Sequence, residues 1–240
     1  GVNIISTHFT WHESAVPTIA TMVPRAAFTS VTGRIRKEVN VPMITSNRIN
    51  TPAVAEEVLS RGDADLVSMA RPMLADSAFM RKTVEGREDE INTCIACNQA
   101  CLDHTFAGKL TSCLVNPRAC HETKLNYLPT ETAKDIAVVG AGPAGLAYAT
   151  VAAERGHNVT IYEASSQIGG QFNLAKRIPG KEEFYETLRY YGRMIEVLGI
   201  DLKLNTRASA DSLKNAGHDE IIVATGIDPR VPDIENIDHP

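Results

Sequence analysis

Residues 135–147 read DIAVVGAGPAGLA, and this stretch decides the fold expected for the second half of the chain. A short apolar strand leads into Gly140-Ala-Gly142-Pro-Ala-Gly145, and an apolar helix follows. The first glycine makes the tight turn, the second lets the backbone approach a pyrophosphate, and the third lets helix and strand pack closely. Glu163 ends the next strand, 18 residues beyond Gly145, where a carboxylate can accept hydrogen bonds from ribose hydroxyls. The pattern predicts a Rossmann-like dinucleotide-binding domain.

Two later motifs belong to the same region, GGQ at residues 169–171 and ATG at residues 224–226. Together with the first turn they resemble the FAD-binding half of flavoprotein reductases that bind two dinucleotides, and this resemblance implies FAD. The acidic residue at the ribose position does not by itself distinguish FAD from NAD, and a glycine-rich turn without a ligand is the alternative. The candidate cofactor contacts are Gly140, Gly142, Ala144, Gly145, Glu163, Ala164, Gly170, Gln171 and Gly226.

A cysteine-rich stretch, CIACNQACLDHTFAGKLTSC, occupies residues 94–113 with the spacing C-x2-C-x3-C-x11-C. A quartet of thiolates suits either zinc or an iron–sulfur cluster. Structural zinc usually takes two C-x2-C pairs, whereas here three cysteines crowd together and the fourth lies alone. The spacing favours a 4Fe-4S cluster held by Cys94, Cys97, Cys101 and Cys113. Zinc and unligated thiols are the alternatives, and Cys120 is predicted to be a spare residue.

Residues 1–90 alternate strands and helices. The apolar runs GVNIIST, VPMITS and LVSMA predict three parallel strands of an open sheet or a barrel. Active sites collect at the carboxyl ends of such strands. His12 follows the first strand and is the catalytic candidate, with a hydrogen-bonded structural histidine as the alternative. Arg48 follows the second strand and Ala70-Arg71 the third, so these strand ends could hold a phosphate; ordinary surface arginines are the alternative.

Composition and charge bound the class of protein. Hydrophobic residues make up 43% of the chain and charged residues 22%, as in soluble globular proteins. The net charge of -5 argues against a nucleic-acid partner. The uncharged run Ile136–Ala153 is long enough for a membrane helix, but its glycines break it, so we expect no membrane span. Clustered cysteines without a signal peptide favour a reducing cytoplasm, and a start without Met makes us expect a fragment.

Three stretches together resemble one family. They are INTCIACNQACLDHTFAGKLTSCLVNPRACHET (91–123), AVVGAGPAGLA (137–147) and GGQFNLAKRIPGKEEFYETLRYY (169–191). They resemble the bacterial NADPH-dependent 2,4-dienoyl-CoA reductases, which are old-yellow-enzyme-like iron–sulfur flavoproteins. The resemblance implies a central fragment of such an enzyme, with an α/β fold in three parts. These are the C-terminal portion of an FMN-binding (β/α)8 TIM barrel, strands six to eight (1–90), a 4Fe-4S cluster linker (91–133) and an incomplete Rossmann-like FAD-binding domain (134–240).

The resemblance also implies a reaction and its cofactors. The reaction is the NADPH-dependent reduction of 2,4-dienoyl-CoA thioesters in the β-oxidation of unsaturated fatty acids, with FMN, FAD and a 4Fe-4S cluster. His12, in the WHE motif, corresponds to a catalytic histidine that assists a tyrosine outside this chain in protonating the substrate. Arg48 and the Ala70-Arg71 backbone correspond to the FMN phosphate site. Residues 8–10 (HFT) stand where many relatives have glycines, which bears on the acyl-chain preference.

Three other functions compete with this interpretation. Amine dehydrogenases related to trimethylamine dehydrogenase share the barrel, the cluster and the FAD-like module, but their third cysteine comes one residue earlier, in C-x2-C-x2-C. An enoate reductase of the same flavoprotein family is the second alternative. A non-catalytic electron-transfer adaptor is the third, and it predicts one type of flavin in the full-length protein instead of two.

Overall fold

A computed structural model describes residues 1–228, 230–235 and 237; the remaining residues of the last predicted domain, 229, 236 and 238–240, lie outside the described residues. The first part of the chain alternates strands and helices, as the apolar runs predict. Its elements are β1 (Ile5–Ser6), α1 (Thr29–Arg36), β2 (Met43–Thr45), α2 (Pro52–Ser60), β3 (Leu66–Val67), α3 (Arg71–Ala75), α4 (Phe79–Val84) and a short 3-10 helix (Glu88–Glu90).

A three-stranded parallel sheet organises this first part. β1 pairs with β2 and β2 pairs with β3, which confirms the predicted parallel arrangement. The strands are two or three residues long, shorter than the apolar runs. A strand includes only the residues that are hydrogen-bonded to a neighbouring strand, and the rest of each run lies outside this pairing. A buried chain of hydroxyl hydrogen bonds, each 2.8 Å long, joins Thr7 to Thr32 and Thr32 to Thr45. This chain fastens α1 to the sheet.

The start of α2 follows from its sequence. The side-chain oxygen of Thr51 accepts a hydrogen bond from the backbone N–H of Val54 at 3.3 Å, and Pro52 occupies the first helical position. Gly62 follows the helix with φ +74°, a left-handed conformation that suits glycine at a helix end. Thr51-Pro52 and Gly62 are sequence signals for a helix start and a helix end, and the structure confirms both.

The cysteine-rich connector folds back onto the first part. It carries one described helix, α5 (Leu102–Phe106), and otherwise consists of turns and irregular backbone. The side-chain amide of Asn92 donates to the carbonyl of Val115 at 2.7 Å, and that of Asn116 donates to the carbonyl of Leu74 at 2.9 Å. These two hydrogen bonds hold the segment around Cys113 against the start of the connector and against α3.

A four-stranded parallel sheet organises the second half of the chain, in the order β6-β5-β4-β7. Its strands and helices are β4 (Asp135–Val139), α6 (Pro143–Glu154), β5 (Asn158–Tyr162), α7 (Phe172–Ala175), α8 (Phe184–Val197), β6 (Asp201–Lys203), α9 (Ala210–Asn215) and β7 (Glu220–Val223). The run Ile136–Ala153 divides into β4, a glycine turn and most of α6, as its glycines predict. Within the described residues, no helix has the length and apolar character needed to cross a bilayer.

The core of this half lies between the sheet and its helices. Ile136, Val138 and Ile161 on the strands pack with Leu146 on α6 and Ile195 on α8, all of them buried. The apolar residues of the stretch 182–199 recur at helical spacing and predict an amphipathic helix, which α8 confirms with its apolar face on the core. Removing these side chains from water supplies most of the favourable free energy of folding in such a domain.

Candidate functional site

The four predicted ligand cysteines meet at one place. They line a single small cavity whose remaining walls are mostly apolar, with Arg71 as the charged exception. Each of the four is partly buried, whereas Cys120 is exposed and is not part of the cavity lining. The structure therefore brings together the four cysteines selected by spacing, namely Cys94, Cys97, Cys101 and Cys113.

The loop before α5 places the first three thiols around this cavity. Ala96 and Asn98 adopt φ of 54° and 64°, the left-handed region that non-glycine residues seldom occupy. Asn98 is anchored on both sides, because its side-chain oxygen accepts a hydrogen bond from Arg71 and its amide donates to the carbonyl of Ile19 at 3.0 Å. The strained turn is thus held by contacts to the first part of the chain, as is common at ligand sites.

The thiol chemistry of the cavity fits a metal group. Burial raises the pKa of Cys94 to about 12 and raises the pKa values of Cys97 and Cys113, so without a cation these three thiols stay protonated. No three described His, Cys, Asp or Glu side chains are placed to hold one metal ion. Four thiols around one mostly apolar cavity are a donor set that fits an iron–sulfur cluster, and structural zinc uses the same ligands.

His12 lies beside this cavity. The Nη2 atom of Arg71 is 3.4 Å from Nε2 of His12, and the ring of Phe106 on α5 meets the imidazole edge-on at 6.3 Å between centroids. Burial first, and the positive charge of Arg71 second, lower the pKa of His12, against a smaller opposite effect of Glu13. The imidazole is therefore neutral at neutral pH. The cysteine connector, through Phe106, forms part of the wall around the candidate catalytic histidine.

Replacing Arg71 with methionine should raise the pKa of His12, because the neighbouring positive charge is lost. Where His12 must be neutral for the reaction, the acid limb of the pH–rate profile should then move to higher pH. The measurement is the pH dependence of the reaction rate of the full-length protein. Arg61→Met is the matched control, because Arg61 pairs with Glu57 and Asp63 at the end of α2. An unmoved acid limb in the Arg71 variant would show that the charge does not act on His12.

Arg48 is buried and ion-paired. Its Nε donates to the carbonyl of Val23 at 2.7 Å, and its Nη2 donates to the carboxylate of Glu183 at 2.7 Å. Only 2% of its side chain is exposed, so it is not a surface arginine. Ala70 and Arg71 begin α3 directly after β3, and the side chain of Arg71 is directed to His12 and Asn98. Phosphate binding at these strand ends remains a prediction. Because both arginine side chains already have partners in the protein, backbone N–H groups would make most of the contacts to a phosphate.

The three glycines of the fingerprint turn differ in how closely their surroundings pack against them. A Cβ atom on Gly140 would lie 2.9 Å from the carbonyl carbon of Ala224, and one on Gly145 would overlap the carbonyl oxygen of Gly140. A Cβ on Gly142 would meet nothing within 4 Å, so the second glycine leaves its backbone open to a ligand. The turn is closely packed at its first and third glycines and open at its second.

Glu163 closes the same turn. Its carboxylate accepts hydrogen bonds from the backbone N–H of Ala141 at 2.8 Å and of Ser165 at 2.7 Å. Burial by itself raises the pKa of Glu163, but these backbone hydrogen bonds outweigh it and the pKa is lowered overall. The carboxylate is therefore ionised, with lone pairs left for further donors.

An open cavity of about 420 Å³ lies next to this carboxylate. Its lining includes Gly140, Glu163, Ala164 and Gly226 from the sequence prediction. Gly170 packs on the turn, since its Cβ would lie 3.3 Å from the Cα of Gly142, and the Gln171 amide donates to the carbonyl of Ile227. Ala144 is exposed in the first turn of α6. Polar lining residues that no sequence motif marks include Thr206, Arg207 and Asp228.

Comparison with known proteins agrees with this geometry. Residues 3–90 match the NADH:flavin oxidoreductase / NADH oxidase family, and residues 134–239 match the pyridine nucleotide-disulphide oxidoreductases. The chain is thus similar to flavin-dependent oxidoreductases over two separate segments. The first match contains His12 and the three short strands, the second contains the glycine turn, and the cysteines lie between the two matches.

Three similar proteins each match most of this chain. A metal reductase of Desulforamulus reducens is 42% identical over 98% of this chain and 36% of its own length. A cinnamate reductase of Clostridium sporogenes is 33% identical over 85% of this chain and 31% of its own length. A 2-naphthoyl-CoA reductase, solved with 2-naphthoyl-CoA, superposes with a TM-score of 0.93 at 40% identity, over 98% of this chain and 36% of that one. The chain thus spans about a third of the length of these relatives.

Proposed function

We propose that the full-length protein uses NADPH to reduce conjugated carbon–carbon double bonds in a CoA thioester of the 2,4-dienoyl-CoA type. The observation that carries the proposal is the position of Arg71, which contacts His12 and also lines the four-cysteine cavity. A proton-handling histidine and a candidate redox centre are thereby adjacent. The relatives named for 2-naphthoyl-CoA and cinnamate favour a conjugated acyl substrate.

The cofactors would occupy three parts of the chain. Backbone N–H groups at the ends of β2 and β3 would hold the FMN phosphate, and the four cysteines would hold a 4Fe-4S cluster. The glycine turn and Glu163 would bind the pyrophosphate and ribose of FAD, with the N-terminus of α6 directed at the phosphates. When bound, the flavins and the cluster supply the conversion between hydride transfer and single-electron transfer.

The chain's own side chains would position the substrate and the proton. His12 is neutral and contacts Phe106, so it can orient a polar group of the substrate against an apolar wall. Its Nδ1 atom is buried and has no hydrogen-bond partner among the described residues, and such an atom calls for a donor or acceptor from a ligand. A positioned acid–base group of this kind contributes about 10²–10⁴-fold to rate.

Anaerobic half-reactions of the full-length protein test the proposal. NADPH should reduce two kinetically distinct flavins, and a 2,4-dienoyl-CoA should then reoxidise the reduced protein. The spacing C-x2-C-x3-C also favours a reductase over an amine dehydrogenase. Flavin reduction by a secondary or tertiary amine, without reduction by NADPH, would contradict the proposal. A single type of flavin would instead support an electron-transfer adaptor.

A further inference from the structure

The segment GKEEFYETLRYY, residues 180–191, contains Glu183, the buried carboxylate that pairs with Arg48. We propose that Glu183 is a positioning residue that fixes the FAD-binding part of the chain against both the β2 strand end and the cysteine loop. The proposal rests on the proposed function, because it assigns to this residue the alignment of the redox centres. Glu183 lies at the N-terminus of α8, and its partners all come from the first part of the chain.

Four hydrogen bonds converge on the Glu183 carboxylate. Arg25 binds it in bidentate fashion, with Nε at 2.8 Å and Nη2 at 2.7 Å. Arg48 donates at 2.7 Å and the side-chain amide of Asn50 at 3.1 Å. Four donors occupy the usual acceptor capacity of a carboxylate, so its orientation is fully determined.

Because Glu183 and Arg48 are buried, their ion pair is stable in only one arrangement of the two side chains. The Glu183 side chain is 7% exposed and that of Arg48 is 2% exposed. Burial by itself raises the pKa of Glu183, but the hydrogen bonds from Arg25 and Arg48 outweigh it and lower the pKa overall. A desolvated ion pair is stable only when its geometry is complete, because either charge left alone in the interior is strongly unfavourable. The two halves of the chain can therefore pack closely together in only one relative orientation.

The hydrogen bonds of the Glu183 carboxylate connect it to the two sites proposed to take part in electron transfer. Arg48 stands at the end of β2 with φ 55°, at the predicted FMN phosphate position. The Asn50 amide that donates to Glu183 also donates, through its Nδ2 atom, to the carbonyl of Cys94 at 2.8 Å. One carboxylate thus connects α8, the β2 strand end and the backbone of the first cluster cysteine. A shift of Glu183 would change the separation of all three.

A second layer supports this connection. Glu186, one turn further along α8, pairs with Arg25 at 3.0 Å and with Arg189 at 2.6 Å. Arg189 in turn donates to the carbonyls of Asp89 and Ile91, just before the cysteine connector. These contacts are more exposed than those of Glu183, so they contribute less. We therefore expect substitution of Glu183 to have the largest effect on how the two halves of the chain pack together.

The test compares Glu183→Gln with Glu196→Gln in the full-length holoprotein. Glu196 lies on the same helix, is exposed and pairs with Arg193 at 3.1 Å. For Glu183→Gln we expect unchanged reduction of the first flavin by NADPH and about tenfold or more slower reduction of the second flavin. The low-temperature EPR signal of the reduced cluster should also change. Glu196→Gln should match the wild type in all three measurements.

Hydrogen exchange separates this inference from the proposed function, because it needs neither electron transfer nor substrate. Amides of residues 94–101 and of the start of α8 should exchange about tenfold faster in Glu183→Gln, and unchanged in Glu196→Gln. Unaltered exchange, with both flavin phases as in the wild type, would overturn the inference. Should Glu183→Gln not fold, Asn50→Ser removes the link to Cys94 and leaves both arginine pairs in place. Asn50→Ser should show the same changes in flavin reduction and hydrogen exchange, but smaller ones. Wild-type behaviour of this variant would also overturn the inference.

Discussion

Replacing Cys113 with serine should abolish electron transfer between the two flavins while both flavins remain bound. Cys113 lies 12 positions beyond Cys101, on the segment that Asn116 ties to α3, and it completes the lining of the cavity. A free serine hydroxyl stays protonated at neutral pH and is a much poorer ligand of iron than a thiolate. Changes in the outer shell of metal sites alone cost about 10–100-fold, so the loss of a ligand should cost at least as much.

The measurement is anaerobic stopped-flow reduction by NADPH with parallel iron analysis. In the serine variant the first flavin should be reduced at the wild-type rate, whereas the second should stay oxidised on that timescale. Cys120→Ser is the matched control, since Cys120 is exposed and is not part of the cavity lining, and it should behave as the wild type. Normal electron flow in the Cys113 variant would show that this thiol is not a ligand of a redox centre.

Replacing Gly145 with alanine should eliminate FAD binding and destabilise the second half of the chain. The added Cβ would overlap the carbonyl oxygen of Gly140 and lie 3.1 Å from its carbon, and both atoms are backbone. Helix α6 would have to move away from β4, which distorts the turn that faces the pyrophosphate. Overpacking of this kind costs about 1–3 kcal/mol of stability, and more where backbone must shift.

Flavin content and thermal unfolding together test this expectation. Gly192→Ala on α8 is the control, because its Cβ would meet nothing within 4 Å. Alanine in a helix interior is favoured over glycine by about 0.8–1.0 kcal/mol, so that variant should keep FAD and unfold at a slightly higher temperature. A Gly145→Ala protein with full FAD content and an unchanged unfolding temperature would contradict the assigned role of the third glycine.

Local patterns allowed much of this fold to be predicted. The fingerprint turn, the Thr51–Pro52 helix start and the amphipathic α8 each depend on residues within a few positions of one another. Parallel pairing also followed from the sequence, since strands separated by helical crossovers cannot form hairpins. The crowded spacing of three cysteines marked the cavity, although the position of Cys113 in it depends on contacts that spacing does not reveal.

The ion pairs of the site could not be predicted from local patterns. Arg48 and Glu183 are 135 positions apart, and nothing near either residue indicates its partner. From its sequence position Arg48 is a candidate phosphate ligand or a surface charge, whereas the structure pairs its side chain with a buried carboxylate. Arg71 was similarly considered for its backbone, whereas its side chain contacts His12 and Asn98. Long-range pairs depend on how the two halves dock, which no local pattern encodes.

Iron and acid-labile sulfide analysis of the full-length protein, purified without oxygen, tests whether four thiolates hold an iron–sulfur cluster between an FMN site and an FAD site. We expect about four irons and four sulfides per chain, together with one FMN and one FAD. Stoichiometric zinc, or four free thiols in protein that carries both flavins, would contradict this expectation.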